Sequence, residues 1–209
     1  MPLVYPSKHP LVLTKVAALR STSTGPAGFR SLVRSLAMLL AQEATADLPV
    51  HPLEVTTPLG PAPGLGLSDR IGIIPILRAG LGMAEGVLEL LPEAEVWHLG
   101  MFRDEHTLLP TEYYNKLPAR PRVSLALVVD PMLATGGSAV RACELLRSRG
   151  IDRIKFLAII AAPEGIAYLT EAMPDVPIHV GSVDSHLNEV GFIVPGLGDA
   201  GDRQFGTSV

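Results

Sequence analysis

Cysteine is almost absent from this chain. Cys143 is the single example in 209 residues, which excludes a disulfide framework and a thiolate metal cluster and fits a reducing cytoplasm. A basic excess is also missing. Lys and Arg total 17 against 21 Asp and Glu, a formal net charge of −4. The composition therefore offers no broad basic face for nucleic acid, and no long Lys/Arg run appears. An acidic chain can still hold an anionic ligand if its few cations converge on one cleft. No uninterrupted apolar run approaches the roughly 20 residues of a membrane span. The opening MPLVYPSKHPLVL carries Pro and Lys inside its apolar stretch and no small-residue cleavage pattern, so it reads as mature protein. Internal repeats and low-complexity tracts are lacking too.

What is present is a core. Apolar residues make up 47% and charged residues 18%, so burial can offset the entropy of ordering. The length suits one α/β domain over residues 1–209. Residues Phe29 to Ala46 place Leu32, Leu36, Leu39 and Leu40 at helical spacing. Thr57 to Gly66, TPLGPAPGLG, reads as a surface loop or the tip of a hairpin. Short apolar runs then alternate with helical patterns. Strands are expected at Ile71–Leu77, Val96–Phe102, Val123–Val129, Ile154–Ala161 and Ile178–Val183. Helices are expected at Leu81–Leu91, Ser138–Arg149 and Glu164–Met173, the last two stopped by Gly150 and Pro174. Strands apolar on both faces, alternating with helices, predict a mostly parallel sheet covered on both sides. Two polar stretches, Arg103 to Pro118 and Asp184 to Val209, break the alternation. Long irregular segments of this kind are either insertion loops or lids and binding loops.

The stretch Val128–Ser138, VVDPMLATGGS, carries the strongest chemical signal. A buried strand ends at Asp130, a loop follows, and two glycines enter a helix near Ser138. Gly136 and Gly137 allow positive φ and let backbone N–H groups approach an anion. The helix start adds unpaired N–H groups and the positive end of its dipole. Thr135 and Ser138 supply hydroxyls. Asp130 sits at the strand end, the usual ligand crevice of an open α/β sheet. A carboxylate beside a phosphate site suits sugar hydroxyls or the water on a Mg²⁺. The same Thr-Gly-Gly also serves as a plain β–α turn in many sequences.

An apolar strand, Asp, four residues and then Thr-Gly-Gly entering a helix resembles the loop with which type I phosphoribosyltransferases bind 5-phospho-α-D-ribose 1-diphosphate (PRPP). The whole string DPMLATGGS, residues 130–138, resembles the uracil phosphoribosyltransferase form, in which Pro131 replaces a second acidic residue. Further matches lie at His9–Val12, at Ile74–Met83 (IPILRAGLGM), and at Arg103-Asp104-Glu105 with Tyr113–Pro118. Two more are Ala161–Gly165 (AAPEG) and Gly191–Thr207 (GFIVPGLGDAGDRQFGT). The resemblance implies an α/β fold of the type I phosphoribosyltransferases, with a flexible β-arm over about 103–118 and a C-terminal hood over about 184–209.

The roles below are those the resemblance implies. Uracil and PRPP are the substrates, and UMP and diphosphate the products. PRPP meets Arg78, Arg103, Asp130, Pro131, Met132, Leu133, Ala134, Thr135, Gly136, Gly137, Ser138 and Asp199. Uracil meets Ile193, Gly198, Asp199 and Ala200. Asp130, Arg103 and Asp199 carry the catalytic load, and Lys116 in the arm assists. Mg²⁺ is held mainly through PRPP and water rather than by direct protein ligands. A GTP effector and a homodimer or higher homo-oligomer also follow from the resemblance. No histidine is an evident general base: His106 falls in the arm and His186 near the hood, and both read as structural or solvated.

Two other readings compete. Gly80-Leu81-Gly82 follows a strand as in a dinucleotide-binding turn, but Gly86 comes one residue too late for GxGxxG and the next strand ends at Arg103 rather than an acid. A non-catalytic nucleotide-sensing regulator on the same fold would be favoured by a basic face, which the composition does not offer.

Overall fold

A computed structural model describes residues 3–103 and 110–207, without the side chains of 102, 103 and 110. Strand β1 (Val4–Pro6) leads into α1 (Pro10–Arg20) and α2 (Pro26–Ala44). Both helices open on proline, whose fixed φ and missing N–H suit that position. At α1 the His9 ring accepts from Leu11 N at 3.1 Å. The expected helix at 29–46 is α2, begun three residues earlier by Pro26. Its buried stripe runs Phe29, Val33, Leu36, Ala37, Leu40 and Ala44, the 3.6-residue spacing of one helix face.

The Pro/Gly-rich stretch at 57–66 holds the tip of a hairpin and most of its second strand. Strands β2 (Val50–Thr57) and β3 (Gly60–Leu67) form a separate two-stranded antiparallel ribbon turning at Pro58-Leu59. Pro52, Pro61 and Pro63 lie within it. Both strands of a two-stranded ribbon are edges, where a proline N–H is not missed.

The remaining elements follow in order: β4 (Ile71–Leu77), α3 (Gly80–Leu90), β5 (Glu95–Val96), β6 (Leu99–Arg103), β7 (Pro110–Asn115), β8 (Leu125–Val129), β9 (Met132–Leu133), α4 (Gly137–Ser148), β10 (Ile154–Ala161), α5 (Pro163–Ala172), β11 (Ile178–Val183), β12 (His186–Leu187), β13 (Ile193–Val194) and α6 (Ala200–Phe205). Across the main sheet the order is β1-β11-β10-β8-β4-β6-β7. Every pairing along it is parallel except β6 with β7. The expected strand at 96–102 is split into two short pairings with β4 in one register, Trp97 donating to Ile73 O at 3.0 Å between them.

Alternate residues of each central strand feed opposite faces. Ile73, Leu125, Leu127, Val129 and Leu157 pack with α1, α2 and α3. Ile74, Ala126, Val128, Phe156 and Ala158 pack with α4 and α5. The helices thus cover both faces, as the doubly apolar strands predict. No helix among the described residues is long and apolar enough to cross a membrane. The central position of Leu127, fully buried between β4 and β10, makes Leu127→Ala a direct test of this layering. It should cost about 2–5 kcal/mol, read as a lower urea midpoint at unchanged slope.

Candidate functional site

The chain leaves β8 at Asp130 and is at once stitched to β10. Asp130 N donates to Leu157 O at 3.2 Å, and Pro131 O accepts from Ile159 N and Ile160 N at 3.1 and 3.0 Å. Leu133 O accepts from Ala162 N at 2.9 Å. The carbonyls of Pro131 and Leu133 are therefore spent on the sheet. Beyond Ala134 and Thr135, Gly136 adopts φ 84° as the residue before α4, and no side chain caps that helix. The first N–H groups of α4 are left to meet a ligand. Gly137 was expected to share the positive φ; instead it is the first helical residue, and Gly136 alone makes the left-handed turn.

A second glycine holds this turn from behind. A Cβ on Gly165, in the first turn of α5, would stand 2.3 Å from Ala134 O and 2.8 Å from Leu133 O. A Cβ on Gly136 would stand 2.8 Å from Gly165 O. Backbone packs on backbone here, which gives the AAPEG segment a physical role: it props the anion-facing turn.

A cleft of about 590 Å³ opens over the ends of β4 and β8. One wall carries Arg78, Asp130, Met132, Ala134 and Ser138; the facing wall carries Val190, Phe192, Ile193 and Asp199. A recess of about 80 Å³ continues beneath it along Ala134, Thr135, Gly136 and Ser138. Residues far apart in the chain are thus brought to one place. Pro131 and Gly137 do not line the cleft, nor do Gly198 and Ala200, the neighbours of Asp199. Gly198 is exposed with φ 77°, and Ala200 is buried as the first residue of α6. Arg103 closes β6, and its side chain lies outside the described residues, as does His106. Lys116 is exposed, with Nζ 6.0 Å from the Tyr114 ring centroid, and is not on the cleft. His186 shares a hydrogen bond with Ser185.

The charges of the cleft are few, and most are already engaged. Burial pushes the Asp130 carboxyl up to about 7; a hydrogen bond from Met132 N opposes this, and the Asp199 charge adds to it. Asp199 caps α6, its Oδ1 accepting from Asp202 N at 2.8 Å. Among the described residues no three His, Cys, Asp or Glu side chains gather to hold a metal. The donor set on the cleft is two carboxylates, Asp130 and Asp199. That suits a divalent ion whose other ligands come from substrate and water. Arg78, at the end of β4, is already engaged: its Nη2 donates to Asp202 Oδ1 at 2.9 Å. Thr207 Oγ1 donates to the same oxygen at 2.7 Å. Together they hold the Asp202 carboxyl below the usual carboxylate range.

Nothing in the sequence marks Asp202 as the partner of Arg78. Sequence reasoning also passed over Phe192 and Val190. The signal for Phe192 was its place beside Ile193: a large apolar side chain in a Gly-rich loop, 47% exposed at the lip of the cleft.

The parallel sheet, the glycine turn after β8 and the C-terminal lobe closing over the strand ends make this a type I phosphoribosyltransferase fold. A hypoxanthine phosphoribosyltransferase structure from Staphylococcus aureus shares it at TM-score 0.50, 12% identity and 76% coverage of each chain. The family follows from closer relatives. The uracil phosphoribosyltransferase family model matches residues 6–207, and the chain belongs to that family of transferases. A uracil phosphoribosyltransferase of Roseiflexus castenholzii is 56% identical over 99% of this chain and 100% of its own length. One from Halalkalibacterium halodurans is 51% identical over the same shares. The AQ2163 protein of Aquifex aeolicus superposes at TM-score 0.92, with 39% identity and 99% of each chain covered.

Because burial raises the Asp130 pKa, the folded protein binds that proton more tightly than the unfolded chain does. The stability Asp130 contributes is whole below its ordinary value of 3.8 and is lost as pH rises to about 7. Asp130→Asn should remove this loss. Its Tm relative to the parent should climb by several degrees between pH 4 and pH 7 and then level off, measured by calorimetry without ligands.

Proposed function

We propose that this protein transfers the 5-phosphoribosyl group from PRPP to N1 of uracil, giving UMP and diphosphate, with Mg²⁺ and inversion at the anomeric carbon. One observation carries the reading: Ser138 at the uncapped start of α4, Arg78, Asp130, Ile193 and Asp199 all line one cleft large enough for a phosphorylated sugar and a base.

The uncapped N–H groups after Gly136, with the Thr135 and Ser138 hydroxyls, suit the 5′-phosphate. Asp130 suits the ribose hydroxyls; at its raised pKa a cation or donor beside it draws the carboxylate out. Arg78 is placed for the diphosphate, which it can grip through two N–H groups once it leaves Asp202. Arg103 is the second cation in this reading. Mg²⁺, carried by PRPP and its water and touched by Asp130 and Asp199, would neutralise charge on the leaving diphosphate. The C1–O bond breaks with its electrons going to diphosphate. Uracil N1 forms the new bond from the opposite face, and its proton passes to water or to the leaving group. Main-chain groups around Gly198 to Ala200 suit the N3–H and carbonyl oxygens of uracil, with Phe192 and Ile193 as apolar walls. Positioning and charge stabilisation supply the rate, with no covalent enzyme intermediate.

The reading extends to residues 1–209 as a single phosphoribosyltransferase domain. It extends also to a homo-oligomer, supported by the apolar side chains that β2 and β3 leave open, Leu53, Val55, Leu59 and Leu65. The one buried cysteine supports a cytoplasmic setting. GTP as effector follows from the family resemblance, and titrating GTP against initial rate tests it.

Purified protein incubated with PRPP, Mg²⁺ and each base separately should form UMP from uracil and no nucleotide from hypoxanthine, guanine or adenine. Nucleotide binding without product from any base would instead identify a regulator. Substitutions at the diphosphate position should act in opposite directions. Arg78→Ala should lower kcat/KM for PRPP by on the order of 100-fold. Asp202→Asn, which frees Arg78 from an exposed pair worth about 0–1 kcal/mol, should lower the PRPP KM by up to about fivefold.

A further inference from the structure

The C-terminal lobe reaches the cleft through a short turn, Ile193 to Gly198. Pro195 follows a cis peptide, and Gly196 has φ 63°. A Cβ on Gly196 would stand 2.1 Å from Ile193 O, so the turn is closed against itself. What fixes its place in the molecule is a pair of charged side chains from elsewhere in the chain. The Arg20 guanidinium, at the end of α1, forms a two-pronged ion pair with Asp184, just beyond β11. The Asp184 side chain is 2% exposed and that of Arg20 22%. The same pair takes both backbone groups of one residue. Arg20 Nη1 donates to Gly196 O at 2.7 Å, and Gly196 N donates to Asp184 Oδ2 at 2.9 Å.

The next carbonyl is taken in the same way. Arg203 Nη1 donates to Leu197 O and to Leu19 O, both at 2.8 Å. Its guanidinium carbon lies 4.6 Å from the Phe29 ring centroid. Two arginines therefore tie residues 196 and 197 to the last turn of α1, where the negative end of the helix dipole favours cations. None of Arg20, Asp184 and Arg203 lines the cleft. Just past these tethers the chain emerges: Gly196 and Leu197 are buried, whereas Gly198 and Asp199 are exposed. No partner within the described residues takes the N–H or C=O of Gly198.

We propose that Arg20 and Asp184 are positioning residues for the nucleobase: by holding both backbone groups of Gly196 they set where the exposed backbone that follows, Gly198 and the cleft-lining Asp199, meets uracil. The inference rests on the reading of this lobe as the uracil site. It adds that base affinity and selectivity depend on an ion pair that touches no substrate. With the carbonyls of residues 196 and 197 consumed, the base is read by the groups that follow them. A main-chain reader has no side chain to adjust, so its precision is that of its anchor.

Steady-state kinetics on the full-length protein test this. Asp184→Ala and Arg20→Ala should raise the uracil KM on the order of tenfold while the PRPP KM stays within about twofold, because the α4 turn is held independently by β10 and Gly165. Asp184→Asn keeps an oxygen for Gly196 N and should recover most of the uracil KM. The charge-swapped double variant Arg20→Asp/Asp184→Arg separates positioning from stability. It can restore an ion pair and the melting temperature, but it sets a donor against Gly196 N and an acceptor against Gly196 O, so the uracil KM should stay high. If the alanine variants do not fold, Asp184→Asn and Arg20→Lys carry the comparison. An unchanged uracil KM, or equal rises in both KM values, overturns the inference while leaving the function intact. If the parent protein forms no UMP, it is the function that fails.

Discussion

A parallel sheet buried on both faces has nowhere to put polar chemistry except the ends of its strands. That constraint organises this molecule. In β4, β8 and β10 the backbone of the middle is largely committed to neighbouring strands, and the apolar side chains of the middle face one buried layer or the other. Only where the strands stop does the chain offer free amides, a carboxyl and a guanidinium. Arg78 and Asp130 end up side by side because β4 and β8 run in the same direction and end at the same edge. Even the loop after β8 obeys the constraint through β9, which extends the sheet for two more residues before the turn escapes it.

The strands that obey the constraint most strictly were the easiest to see in the sequence. Ile154–Ala161 and Ile178–Val183 are mostly apolar runs, interrupted by Lys155 in the first and by His179 and Ser182 in the second, and the structure has the same bounds. The Asp-to-Thr-Gly-Gly pattern located the glycine turn before α4 because glycine and a helix start are local features. Legibility failed where structure is made by partners. The tip of the β2–β3 ribbon could be read from its proline and glycine, but its two strands could not; only the cross-strand register makes them extended. Helix α1 was overlooked because Pro-Leu-Val-Leu at its start reads equally well as extended chain, and its buried face is set by α2 and β11. The engagement of Arg78 by Asp202 spans 124 positions. The hold of Arg20 on Asp184 spans 164. No periodicity encodes such distances.

For the proposed reaction, an acidic protein with a net charge of −4 has to withhold negative charge at the cleft as well as supply positive charge. Asp130 is held near neutrality by its surroundings. Asp199 is partly occupied as a helix cap. Asp202 is turned onto Arg78 and Thr207. Each carboxylate at the cleft thus has its charge suppressed or shared until something better arrives.

The pairing of Arg78 with Asp202 has a kinetic meaning. The guanidinium is 54% exposed, so its internal partner holds it with little more than thermal energy. That suffices to keep dilute chloride or acetate from settling there, since a lone monovalent anion offers no more than the carboxylate already in place. In the proposed reaction a ligand carrying several charges displaces it. The arginine is therefore kept in one orientation between encounters, yet handed over without a slow unlatching step, and the incoming anion need only swap places with a tenant on a short lease.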